Sequence, residues 1–184
     1  MHFSNYYILD MNRKLLALLA ILVLFFITLL VYKINNAIKI KARIEHNIVD
    51  LPNFSFYNLQ QQPFTKDSLP INKPSLFIYF NTDCEHCQYE ATEIVKNTTA
   101  LRDDNIVFVS NQPYTNIRQF DNAYHLSQYS FIRLLKDSTD NFYKTFGTST
   151  VPSLVLYNSK GALIKNYKGE VDITTVITLL NKNN

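Results

Sequence analysis

The chain downstream of residue 47 predicts an α/β fold, a mixed sheet flanked by helices, preceded by a single N-terminal transmembrane helix. Three observations carry this expectation. Residues Leu15 to Tyr32 are apolar apart from Thr28. Beyond Leu76, short β-type runs alternate with helical ones. The chain's 2 cysteines, Cys84 and Cys87, stand where one such run gives way to a helix.

The N-terminal run sets the first element. Eighteen helical residues span about 27 Å, close to the hydrocarbon thickness of a bilayer. A cleaved signal peptide would have a shorter apolar region ending in small residues. Here the run continues into Tyr32-Lys33-Ile34-Asn35-Asn36, a poor cleavage site, and no nearby cysteine can take a lipid. The reading is a short cytoplasmic tail over 1–14, an anchor over 15–32 in contact with membrane lipid, a basic stem over 33–47 and a soluble domain over 48–184. Orientation is contested by the charges. Arg13 and Lys14 precede the span, but Lys33, Lys39, Lys41 and Arg43 follow it. The short tail and the dithiol favour a C-terminal domain outside the cytoplasm.

The soluble part then reads as follows. Residues 48–57 and 63–66 are extended pieces around a hairpin at Asn58-Leu59-Gln60, and 75–80 is a buried strand. A helix follows from Gln88 to about Leu101, then a strand over 106–110, a helix over 116–127 and a strand over 131–135. Asp140 to Phe146 makes a short helix closed by Gly147. Ser153–Tyr157 and Ala162–Tyr167 form a hairpin turning at Asn158-Ser159-Lys160-Gly161. Asp172 caps a last helix over 173–182, with Ile173, Val176, Ile177 and Leu180 on one face.

Charge excludes one class of partner. Six of the 18 Lys and Arg residues lie before residue 47, against Asp10 and Glu45, so the net +3 arises at the membrane end. The near-neutral remainder gives no basis for nucleic-acid binding.

Cys84-Glu85-His86-Cys87 carries the chemistry. A cysteine at a helix N-terminus meets free N–H groups and partial positive charge, which favour the thiolate needed for disulfide exchange. Cys84 is therefore the candidate attacking group and Cys87, one turn on, the resolving one; together they form a redox-active disulfide. A structural disulfide and half a zinc site are the alternatives. Zinc would want further ligands at regular spacing, and His2, His46 and His125 are scattered. A c-type haem would need histidine where Gln88 stands. No metal or other cofactor is expected. His86 as imidazolium would support a thiolate, while Glu85 opposes it.

Strand, Cys-x-x-Cys and helix, followed by Thr150-Val151-Pro152 ahead of a hairpin and a terminal helix, resemble a thioredoxin-like fold. The segment Leu51-Pro52-Asn53-Phe54-Ser55-Phe56 and the anchor are similar to the TlpA/ResA branch of membrane-anchored thiol–disulfide oxidoreductases. The resemblance covers about residues 49–182. It implies a protein disulfide reductase on the outer side of a bacterial inner membrane, single-pass, acting on protein disulfides and dithiols and fed by a membrane electron-donor protein. It also implies a cis Pro152 facing the cysteines, with the backbone of Val151 and the neighbouring Glu85 and His86 meeting substrate. Glu90 matches the acidic residue that ResA-like proteins use for proton transfer; an exposed glutamate in a first helical turn is the plain alternative.

Departures from that pattern are visible. Asp83 stands where a tryptophan usually precedes the first cysteine, and Ile78 occupies the position of a buried aspartate in thioredoxin. A disulfide-inserting oxidase, a non-enzymatic thioredoxin-like binding module on a stalk, and a metal-handling protein using the two cysteines with His86 or His125 remain as other readings.

Overall fold

In the computed structural model, residues 3–183 are described, with side chains from Leu15 onward. The described chain divides into two compact units, residues 1–43 and residues 44–184. Helix α1 runs over Phe3–Asn47. Within it, Leu15–Asn47 contains a window of mean hydropathy 3.1, none of it buried, long and apolar enough to cross a membrane. A signal sequence meets the same criterion. The stem expected over 33–47 continues the helix rather than leaving it. The second unit begins at Ile44, earlier than the boundary drawn from charge, because Ile44 and Ile48 are buried beside Gly147.

The second unit contains β1 (Ser55–Asn58), β2 (Pro63–Thr65), β3 (Ser75–Tyr79), α2 (Glu85–Lys96) and α3 (Thr98–Leu101). These are followed by β4 (Asn105–Ser110), α4 (Tyr114–Tyr124), β5 (Ile132–Lys136), α5 (Phe142–Phe146), β6 (Ser153–Tyr157), β7 (Leu163–Lys168) and α6 (Ile173–Lys182). The strands form one sheet in the order β2-β1-β5-β4-β3-β6-β7. β3, β4 and β5 are parallel neighbours, while β6 lies antiparallel to β3 and β7 to β6. The sheet is therefore mixed, as expected. Every residue of β3 and β4 is buried, as a strand covered on both faces requires.

Local chemistry explains most boundaries. Asn58 closes the first hairpin by accepting from the amides of Gln60 and Gln62 on its side-chain oxygen. Asn158 closes the second in the same way, through Lys160 and Ala162. Asp172 accepts from the Thr174 amide at the start of α6. Gly147 ends α5 with φ +76°, the left-handed conformation that suits glycine. Of the extended piece expected over 48–57, only the part from Ser55 onward forms a strand; residues 48–54 do not. They make only an isolated bridge, Asp50 to Ala162, with Leu51 N–H donating to Gly161 and Val49 accepting from Leu163. The helix expected from Gln88 begins three residues earlier, and its end is broken at Asn97, whose side chain takes the Glu93 carbonyl.

Alternation along the strands divides the core. On one face, Leu76, Ile78, Ile106, Phe108, Leu154 and Leu156 meet Ala91 and Ile94 of α2, Ile117 and Phe120 of α4, and Val176 and Leu180 of α6. On the other, Phe77, Tyr79, Val107, Val155 and Tyr157 meet Phe54, Phe56, Phe64, Phe142 and Phe146.

Candidate active site at the start of helix α2

β3 lies inside the sheet between β4 and β6, and the chain passes from its C-terminal end through a short turn into α2, so any group at that join sits at the rim of the sheet where the strand order diverges. Cys84 is the N-cap residue of α2, in extended conformation at φ −88° and ψ 117°. Its amide donates to the Asn81 carbonyl at 3.3 Å, and its own carbonyl accepts from Cys87 and Gln88, each at 3.0 Å. The Cys84 side chain stays half-exposed while Cys87 is fully buried. Both are free thiols. Burial pushes the Cys87 thiol up to about 12, helped by Cys84 and Glu90 and opposed by a backbone bond from Asn81.

The structure brings Val151 and Pro152 to this pair from the other end of the domain. Cys84 Sγ lies 4.0 Å from the Val151 carbonyl oxygen, and the Val151–Pro152 peptide is cis. Pro152 is buried and Val151 half-buried. The loop beyond is pinned at both sides: Ser153 Oγ shares a hydrogen bond with buried Thr148 at 2.7 Å, and the Pro152 carbonyl accepts from Gly169 N–H at 2.8 Å.

Glu90 is not the exposed helical glutamate of the plain alternative. It is 0% exposed. Oε1 accepts from Val171 N–H at 2.7 Å, and Oε2 has no partner. Burial pushes its carboxyl up to about 7, against the lowering effect of the Val171 bond; Glu170 and Glu93 add to the rise. Glu85 is exposed in the first turn, and Asp83 is exposed just ahead of Cys84. His86 is exposed too, but Nδ1 meets Glu170 Oε2 at 2.7 Å. Glu170 and Val171 give no signal in the sequence, because no spacing rule links residues 84 and 81 positions apart.

His125 sits at the C-cap of α4 in left-handed conformation, not in the dithiol motif. Among the described residues, no three His, Cys, Asp or Glu side chains converge as a metal site would require. Ile78 lies in the apolar core at 0% exposure, so the sheet offers no carboxyl from that position. A cleft of about 200 Å³ beside the motif is lined by Thr82, Asp83, Gln88, Asn116, Phe120 and Tyr124 among others. A larger one, about 640 Å³, is lined by Pro52, Phe54, Phe56, Asn141 and Lys144 among others and contains neither cysteine. Reactivity, not volume, marks the dithiol as the candidate site.

Against solved structures, the chain is similar to DsbF of Mycobacterium tuberculosis, described in mixed oxidised and reduced forms, at 19% identity and TM-score 0.62 over 71% of this chain and 95% of that one. A thiol:disulfide interchange protein of the thioredoxin family from Chlorobium tepidum matches at 17% identity and TM-score 0.60, over 73% and 95%. StoA from Bacillus subtilis matches at 15% identity and TM-score 0.55, over 71% and 98%. No family model and no curated protein matches the sequence. At such identities the likeness establishes the fold: the chain has a thioredoxin-like fold.

Proposed function

We propose that the protein is a membrane-tethered thiol–disulfide oxidoreductase, facing outward from the cytoplasmic membrane, that mainly reduces protein disulfides through Cys84 and Cys87. The observation that carries the reading is the asymmetry of the pair. One thiol caps a helix and is reachable, and its partner is buried one turn below beside a buried acid. The names of the similar folds agree with thiol–disulfide exchange.

The reaction follows from that asymmetry. Cys84 thiolate attacks one sulfur of a substrate disulfide; a Cys84–substrate S–S bond forms and the other substrate sulfur leaves as thiolate. Cys87 then gives its proton to the Glu90 carboxylate and attacks Cys84 Sγ. The Cys84–Cys87 disulfide forms, the mixed disulfide breaks, and the second substrate thiolate leaves. Two electrons have passed to the substrate, and a membrane donor restores the dithiol. A Glu90 carboxyl near 7 is matched to that proton transfer at neutral pH. The backbone of Val151, beside Cys84, is positioned to pair with an extended substrate, and Glu85 and His86 form the exposed rim that substrate would meet.

The reductase direction rests on charge. A strong oxidant, near about −120 mV, needs a reduced state stabilised as an anion. The anion would be the Cys84 thiolate, and Asp83, Glu85 and Glu170 place negative charge around the motif, which opposes it. In the test, the Cys87→Ser full chain should accumulate a mixed disulfide with a cellular protein through Cys84, and redox-buffer equilibration of the wild type should give a reducing potential. Absence of any trapped disulfide would remove the enzyme. A potential at the oxidising end would reverse its direction only.

A further inference from the structure

Three consecutive residues between β7 and α6 each make one bond to a different part of the dithiol site. Gly169 N–H donates to the Pro152 carbonyl at 2.8 Å. The Glu170 carboxylate accepts from His86 Nδ1 at 2.7 Å. Val171 N–H donates to buried Glu90 Oε1 at 2.7 Å. The proline loop comes from a stretch of sequence distant from α2, which carries both the Cys-x-x-Cys turn and the buried acid, and residues 169–171 touch all three.

We infer that Glu170 is a positioning residue: by holding His86 it keeps residues 169–171 clasped over the dithiol helix, so that the proline loop and Glu90 retain one geometry. The inference rests on the proposed dithiol chemistry and deepens it. Of the three bonds, the side-chain pair is the exposed one, with His86 at 72% and Glu170 at 38%. It is the bond a substrate or a change of residue can reach first. Releasing it loosens the Val171 amide, and Glu90 then loses its one hydrogen-bond donor.

Few titratable groups besides Glu170 stand near the buried acid. The sheet face under α2 is apolar. On its own helix the titratable neighbours are Cys87, with Cys84 at the cap, His86 one turn earlier, and Glu93, which is bound by Lys96. On α4, Asp121 is engaged by the Ser127 amide, and at the start of α6, Asp172 is engaged by Thr174. Glu170 therefore acts on Glu90 in two opposite ways. Its charge raises the carboxyl, while the amide it holds in place lowers it.

That opposition makes the inference testable on the full chain in detergent. Amide hydrogen exchange at Gly169 and Val171 should rise about 1.5- to 5-fold in His86→Ala and in Glu170→Ala, the range expected of one exposed ion pair. The double variant should show no more than either single one, since both break the same contact. Glu170→Gln keeps an acceptor for His86 and should retain most of the protection. The Glu90 titration midpoint, followed by its carboxyl carbon shift, should move upward in His86→Ala, where the Glu170 charge remains. Unchanged exchange in both alanine variants, additive effects in the double variant, or a downward midpoint in His86→Ala would each overturn the clasp. These readouts need no turnover. A protein that fails to exchange disulfides would overturn the functional reading while leaving the clasp decided by its own measurements.

Discussion

The two faces of the sheet are built from different materials. The face under α2, α4 and α6 is mostly aliphatic, and it admits Cys87 and the carboxyl of Glu90. The opposite face is sealed by rings: Phe54, Phe56, Phe77, Phe142, Phe146 and Tyr157 lie within 6.4 Å of one another in chains of neighbours. Cover explains the contrast. Three helices lie over the first face, whereas the second has the irregular residues 48–54 and the five-residue α5. With few residues available, each must bury more, and an aromatic side chain buries about 150–250 Å². Polar atoms tolerated beside the dithiol would be harder to place under so thin a lid.

The contrast predicts that damage to the ring face costs stability and spares chemistry, while damage at the acid does the reverse. Phe146 touches Phe54, Phe56, Phe77, Phe142 and Tyr157 and is fully buried, so Phe146→Ala should cost about 3–5 kcal/mol by denaturant unfolding. Disulfide exchange per folded molecule should hold near wild type. A large loss of rate at full folding would show that the faces are coupled.

Glu90→Gln should act in the other sense. The folded carboxyl sits near 7 against an ordinary 4.5, so the native state holds the proton more tightly than the unfolded chain. Wild-type stability should therefore fall as pH rises from about 4.5 through 7, by about 3 kcal/mol in total from this group. The glutamine variant should lose that slope and be the more stable protein at pH 8, yet release mixed disulfides more slowly. Asp104, pushed up to about 6 by burial, contributes a slope of the same sign in both proteins, so the difference between them isolates Glu90. Parallel curves would place Glu90 outside the linkage.

The smallest expected effect is at Gly147. A Cβ there would stand 3.0 Å from Ile44 Cγ2, on a backbone at φ +76°. Gly147→Ala should cost about 1–2 kcal/mol, read by thermal or denaturant unfolding of the full chain, and leave exchange untouched. A null result would mean that residues 44–48 yield easily at that contact.

Much of this was legible from local rules. The last helix matches its expected bounds, because Asp172 caps it and the 173, 176, 177, 180 spacing leaves one face to bury. The hairpins followed from their Asn turns, and the cysteine helix from a buried strand running into Cys84. What local rules missed is long-range. His86 shows no partner in the sequence because Glu170 lies 84 positions on, and Glu90 fits either an exposed glutamate or a proton-transfer acid because its burial depends on Val171 arriving from beyond β7. Residues 48–54 look extended yet form a single bridge, Asp50 to Ala162, since what they meet is the end of the β6–β7 turn.

The rims of the sheet carry one more consequence. At one border β2 is three residues long and begins with Pro63, which has no N–H to offer. At the other, β7 presents Lys165 and Lys168 to solvent. Both are poor templates for a foreign strand, the short proline-blunted border by missing donors and the lysine border by the cost of burying charge. A molecule that meets partly unfolded chains would otherwise recruit them along its edges and precipitate with them. These borders discourage such growth.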